Sequence, residues 1–499
     1  MSCSNKPSWS GGGAPTLAML RLAVALLLVA MVLRSADASP DWHQRGGRRR
    51  QQQQQRKEEL PLYLTPYVAK GRVRDARERS RVSSIRGSPD VESYAGFVTV
   101  REQQQNHLFF WFFPAIKKHP SSPAPVVLWL QGGPGTPSLM GALVEHGPLR
   151  ASPDGTAGFR AHTWAHEASV LYVDQPVGAG FSHTRDGVED HWYCANASDA
   201  AADLYEFMGQ FCVVFPHCHQ ADFFIAAEGY AAKFALTLAT MLNMIRDDDS
   251  IPRLTGLILA SPFVDPENQV DNSELLHQTG FLTNVQAALL WEDYHRAFLL
   301  MRRGNYTAAK QLMDDIIDGN PRVATTLFGN MTGLRQTYDM DLTEPPAIFA
   351  AYEAFAERSE VRRALHVGRR LNFVADGEAV RHGMYADLLV SYKHQLADLL
   401  DQDLKVLVYC GQKDLAVPFS SVERFMKTVT WKGQREYATS TRFPWRMATD
   451  QVLGYYRHVH NYTEVLVRGA GHMVAYDKPR ELLALIERFI FGLPIEDVR

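Results

Sequence analysis

Val126-Val-Leu-Trp-Leu130 is an unbroken apolar run that ends on the turn Gly132-Gly-Pro-Gly135, and the same design recurs along the chain. A strand that is apolar on both faces must be covered on both faces, which is the condition of a parallel sheet between two helical layers. Val170-Leu-Tyr-Val173 runs into Asp174-Gln-Pro-Val-Gly178. Phe223-Phe-Ile-Ala226 runs into Glu228-Gly-Tyr230, and an apolar helical pattern then continues to about Met244. Leu257-Ile-Leu-Ala260, Val406-Leu-Val-Tyr409 and Val465-Leu-Val467 read as further strands. A helix opening at Ser198 or Asp199 carries an inward stripe of Leu204, Phe207, Met208 and Phe211. The strand signal lapses between about 270 and 395, where helical patterns dominate. The expected fold is therefore α/β: a mostly parallel sheet in two parts, 60–269 and 396–499, with 270–395 inserted as a helical cap.

The N-terminus sets the compartment. Lys6 and Arg21 precede the apolar run Leu22–Leu33, and Ala36-Asp37-Ala38 places small residues at a cleavage site. This predicts a secretory signal peptide over 1–38, cut after Ala38. The alternative, a membrane anchor, needs a run of about 20 residues. Residues 39–59, with Arg48-Arg-Arg50 and Gln51 to Gln55, have no apolar periodicity and predict a solvated tail. A net charge of −3 gives no sign of a nucleic-acid partner. Passage through the secretory pathway, to the extracellular space or lysosome-like vesicles, makes Asn196, Asn305, Asn330 and Asn461 candidate glycosylation sites. It also permits disulfides among Cys194, Cys212, Cys218 and Cys410. Cys212 and Cys218 are the closest pair, and four free buried thiols are the alternative. No zinc motif is present, no cofactor is expected, and no later stretch is long and apolar enough to span a membrane.

Strand, turn and helix over 223–244 have the form of a nucleophile elbow, in which one side chain stands above the sheet at the N-terminus of the next helix. Ala227, Ala231 and Ala232 supply the small flanking residues that such close packing needs. Ala227-Glu-Gly-Tyr-Ala-Ala-Lys-Phe234 resembles the serine carboxypeptidase signature Gly-Glu-Ser-Tyr-Ala-Gly-Lys/His-Tyr. Trp129-Leu-Gln-Gly-Gly-Pro-Gly135, Asp174-Gln-Pro-Val-Gly-Ala-Gly-Phe-Ser182, Tyr409-Cys-Gly-Gln-Lys-Asp414 and Arg468-Gly-Ala-Gly-His-Met473 are similar to four further blocks of that family, in its order. Leu64-Thr-Pro-Tyr67, Ser93-Tyr-Ala-Gly-Phe97, Leu108-Phe-Phe-Trp-Phe-Phe113 and Trp431-Lys-Gly433 look like its vitellogenic carboxypeptidase-like branch. The resemblance implies an α/β-hydrolase fold with a central sheet flanked by helices and a helical cap.

It also implies roles. His472 would be the general base and Asp414 its orienting partner, with backbone N–H groups of Gly133 and Tyr230 as oxyanion donors. Gln131, Glu145 and Glu228 would meet the substrate's terminal carboxylate, the acids donating hydrogen bonds when protonated at acidic pH. The nucleophile position is Gly229, which has no side chain to attack with. Loss of a triad nucleophile costs on the order of 10⁶ in turnover. Thr136-Pro137-Ser138, Ala260-Ser-Pro262, Ala227 and Ala232 also depart from the family pattern around the same pocket. The reading is a catalytically impaired carboxypeptidase homologue whose partners are peptides or proteins with a free C-terminus. Two alternatives stand beside it: an enzyme using another nucleophile or a water activated by His472, and a structural or storage protein.

Overall fold

The computed structural model describes residues 60–117, 123–184, 194–245, 251–318, 325–447 and 451–495; the expected signal peptide and tail lie outside them. Ten strands form one sheet in the order β1-β2-β6-β3-β7-β8-β9-β12-β11-β10. Its centre is parallel: β6 (Ser169–Asp174), β3 (Val126–Leu130), β7 (Phe223–Glu228), β8 (Leu254–Ala260), β9 (Lys405–Gly411) and β12 (Tyr462–Val467). Each apolar run read from the sequence falls within one of these six. Antiparallel strands close both edges, β1 (Tyr94–Arg101) and β2 (Asn106–Phe113) on one side, β10 (Phe443–Arg446) and β11 (Val452–Val459) on the other. A separate hairpin pairs β4 (Leu149–Ala151) with β5 (Ala157–Phe159).

Side chains alternate between two cores, as the two-residue period of a strand requires. Val126, Leu128 and Leu130 of β3 join Phe223, Ile225 and Ala227 of β7 on one face, and Val127, Trp129, Phe224 and Ala226 face the other way. Helices α1 (Ala197–Val214) and α2 (Ala231–Met244) cover the first face. The expected stripe Leu204, Phe207, Met208 and Phe211 is fully buried there. The helix starts at Ala197, one or two residues earlier than read, because the Asn196 side chain accepts from the Asp199 N–H and caps it. On the other face a helix over Pro479–Ile490 buries Leu482, Leu485, Ile486 and Phe489.

The chain passes from β3 to β6 on one side and then returns to place β7 on β3's other side. Such a switch in direction opens a crevice at the carboxyl ends of the strands. The turn after β3 lies hard against the start of α2: a Cβ on Gly132 would fall 2.2 Å from the Ala231 nitrogen. That spacing admits only glycine.

Among the described residues no strand lies between β8 and β9. Apolar residues between Leu276 and Leu334, including Leu290, Tyr294 and Phe328, form a small separate core that Leu415 joins from the loop after β9. Those from Tyr338 to Phe373 add instead to the sheet's second core. No helix among the described residues is long and apolar enough to cross a membrane.

Cys212 and Cys218 are joined in a disulfide, while Cys194 and Cys410 are buried free thiols. Of the four sequons, Asn305 and Asn330 are exposed and Asn196 is half-buried. Asn461 differs, because its Nδ2 donates to the carbonyls of Leu400 at 3.0 Å and Leu404 at 2.5 Å. A glycan on that nitrogen would take one of its two hydrogens and so break at least one of these bonds. Glycopeptide mapping of the protein expressed through a secretory pathway should find Asn461 bare and the other three sequons eligible. The variant Gly132→Ala should lose at least about 2 kcal/mol of stability, read from denaturant unfolding, because neither partner in the contact can move without distorting backbone.

Candidate active site

β7 ends at Glu228 and α2 begins at Ala231, so the reversal falls on Gly229 and Tyr230. Gly229 has φ +57°, the left-handed region, where a residue with a Cβ costs about 1–2 kcal/mol. Three backbone bonds hold it there: its N–H donates to Ala260 O at 3.0 Å, and its carbonyl accepts from Phe263 N–H at 3.0 Å and Ala232 N–H at 3.2 Å. A Cβ built on Gly229 would meet His472 Nε2 at 3.5 Å and Gly132 O at 3.8 Å, ordinary contact distances. The elbow therefore has room for a side chain, aimed at the histidine.

His472 follows β12 and Asp414 follows β9, so adjacent parallel strands deliver both to the same end of the sheet. His472 Nδ1 donates to Asp414 Oδ2 at 2.8 Å, and its backbone N–H donates to Tyr338 O at 2.7 Å. The other Asp414 oxygen accepts from the N–H groups of Ala416 and Val417 at 2.8 and 3.0 Å. This fixes the tautomer that leaves Nε2 facing Gly229. Burial opposes the imidazolium, but Asp414 and Glu145 outweigh it and hold the His472 pKa above its usual value.

The structure gathers Gln131, Glu145 and Glu228 into one buried chain of contacts. Trp129 Nε1 donates to Gln131 Oε1 at 2.7 Å, and Gln131 Nε2 donates to Glu228 Oε1 at 2.7 Å. Burial, reinforced by Glu145, pushes the Glu228 pKa well up; burial likewise pushes Glu145 to about 7. Two acids so placed hold protons through the mildly acidic range. The Thr136–Ser138 departure keeps a structural role: Ser138 Oγ accepts from Gln131 N–H at 3.1 Å and bonds Trp129 O at 3.2 Å.

A cavity of about 490 Å³ stands over the elbow, with Gly132, Gly133, Gly229, Tyr230 and His472 at its floor. Gln131, Glu145 and Glu228 do not line it. Its roof comes from the inserted segment and includes Lys310, Asp314, Asp376 and Arg381, which pair as Lys310–Asp314 and Arg381–Asp376. Sequence reasoning missed these four, and also Asp387, which accepts from the hydroxyls of Tyr230 and Tyr392. Lys233, in the first turn of α2, donates to the carbonyls of Asp387, Leu388 and Val390 at 3.0, 2.9 and 2.8 Å. These partners lie more than 150 residues apart, so no local pattern reports them. Among the described residues the one cluster with metal-ligand spacing is Cys212, Cys218 and His219, whose sulfurs are spent in the disulfide.

A mostly parallel sheet with helices on both faces, a nucleophile-elbow turn after β7, and a His–Asp pair on the strand ends define an α/β-hydrolase fold. The serine carboxypeptidase family model matches residues 84–492, and the chain belongs to that family. It is 35% identical over 436 residues to human "Probable serine carboxypeptidase CPVL", covering 87% of this chain and 90% of that protein. It is 34% identical to the venom serine carboxypeptidase of Apis mellifera over 86% of this chain and 91% of that protein. The vitellogenic carboxypeptidase of Aedes aegypti is 31% identical, over 86% and 89%. Among solved structures, the prohormone-processing carboxypeptidase Kex1 from Saccharomyces cerevisiae superposes with a TM-score of 0.73 at 19% identity, covering 83% of this chain and 96% of that one.

The buried acids give a pH signature. Glu145 binds its proton more tightly when folded than the ordinary carboxyl of the unfolded chain does. Between pH 4.5 and about 7 the unfolded state therefore loses protons first, and stability falls as pH rises across that window. Thermal unfolding should show Tm decreasing with pH there, and Glu145→Gln should flatten the slope.

Proposed function

We propose that this chain is a catalytically silent serine carboxypeptidase homologue of the vitellogenic carboxypeptidase-like branch, which binds peptides with a free C-terminus and does not cleave them. One observation carries the reading: the elbow turns toward His472 Nε2 with room for a nucleophile, and the residue there is Gly229. In the family signature that position is serine. His472 and Asp414 can take a proton from a nucleophile but cannot replace it, and a loosely held water is a poor substitute. The similarity to the Aedes and human proteins supports the branch. The run 22–33 with Ala36-Asp37-Ala38 supports entry to the secretory pathway, with release outside the cell or into lysosome-like vesicles.

The test is hydrolysis of N-blocked dipeptides at mildly acidic pH by the wild type and by Gly229→Ser. The wild type should be silent. The variant should gain activity by at least about 10³-fold over the wild-type background, and the added change His472→Ala should abolish the gain. Wild-type cleavage that depends on His472 would overturn the reading and point to an activated water or another nucleophile.

A further inference from the structure

Gln131, Glu145 and Glu228 are 2%, 1% and 2% exposed and are not among the residues that line the cavity. An entering carboxylate meets Gly133, Gly229, Tyr230 and His472 first.

Among the described residues His472 Nε2 has no hydrogen-bond partner, and the nearest carboxylate oxygen, Glu228 Oε1, is 3.9 Å away. Its Nδ1 is committed to Asp414, so Nε2 is the ring atom left for a ligand. Beside it lies the volume that a side chain on residue 229 would fill, 3.5 Å from Nε2 at its Cβ. Tyr230 opens helix α2, and the positive end of a helix of that length favours an anion. The His472 ring, a helix N-terminus and the space beside Gly229 therefore converge on one point of the cavity floor.

We propose that the hydrolytic centre of this chain is itself a carboxylate site. The free acid of an acyl amino acid or peptide sets one oxygen on the backbone N–H groups of Gly133 and Tyr230. The other oxygen occupies the volume left open at Gly229, against His472 Nε2. The carboxylate carbon then stands where a scissile carbonyl would stand, so the ligand sits one residue out of register with a carboxypeptidase substrate, as the acyl half of a cleaved peptide would. Its last side chain has Phe263, Val270, Met313, Ile317 and Leu388 as the apolar lining of the same cavity, which favours an apolar C-terminal residue. A serine at 229 would compete with the ligand for this space, so glycine there creates the site as it removes the chemistry. This inference rests on the reading that the site binds without cleaving.

The probes are N-acetyl-phenylalanine and its amide, titrated by calorimetry at mildly acidic pH, with the His472 ring resonances followed by NMR. The acid should bind at least about tenfold more tightly than the amide, the scale of one charge-assisted hydrogen bond. Gly229→Ala should weaken the acid at least about tenfold, and the wild-type His472 resonances should shift on saturation. The ring readout stands even if that variant does not fold. Loss of binding in Gln131→Ala with unmoved His472 resonances would place the carboxylate in the buried acidic cluster and overturn the proposal, while leaving a silent peptide binder intact. Failure of the wild type to bind the acid would also overturn it. Cleavage of blocked dipeptides by the wild type would instead overturn the functional reading on which it rests.

Discussion

The approach of the turn after β3 to the first turn of α2 is the contact on which the rest of the site depends. With a Cβ on Gly132 only 2.2 Å from the Ala231 nitrogen, strand and helix could not meet as they do. Because they meet, the glycine turn, the elbow and the N-terminus of α2 share one floor. Gly132 and Gly229 are thus glycines for different reasons. The first is required by space whatever the protein does. The second has space for a Cβ and sits at φ +57°, where glycine costs less than any other residue. At an elbow of this backbone conformation glycine is the residue that carries no strain, whatever chemistry the position serves.

The same distinction bears on the survival of His472 and Asp414. Asp414 closes its own turn by accepting from Ala416 and Val417, and His472 is anchored by its backbone to Tyr338. Removing Asp414 would leave two buried N–H groups and an imidazole without partners, a penalty of about 1–3 kcal/mol for each lost group. The pair is therefore retained by folding as well as by chemistry. Its presence is poor evidence of turnover, and the residue at the elbow is the better discriminator.

What the sequence made legible follows how local each signal is. The six parallel strands were readable because each is an apolar run buried on both faces, as Val126–Leu130 shows in the simplest form. The antiparallel strand β11, next to the edge strand β10, was not: its burial alternates, with Tyr455 and His458 exposed, and its Gly454 and charged Arg457 break the apolar run. The positions of Gly229, Asp414 and His472 were legible through family-like blocks, each a few residues long. Their distances were not: adjacent parallel strands bring Asp414 and His472 together across 58 residues of sequence, and Gly229 comes from a third strand, β7. Gln131, Glu145 and Glu228, read from separate blocks, come together in one buried cluster, and only the packing reveals their burial.

The roof of the cleft is tied to its floor by a buried cation. Lys233 has three N–H donors and meets three carbonyls of the segment 387–390, while Tyr230, beside the elbow, bonds the Asp387 carboxylate. Burial pulls the Lys233 pKa down to about 7, with Asp387 and Asp265 opposing that pull. Lifting this segment would break the three Lys233 hydrogen bonds and separate the Tyr230 hydroxyl from Asp387, a loss for each buried partner left unmatched. The inserted segment and the first turn of α2 are thus tied together, beside the elbow, by buried hydrogen bonds that no local sequence pattern announces.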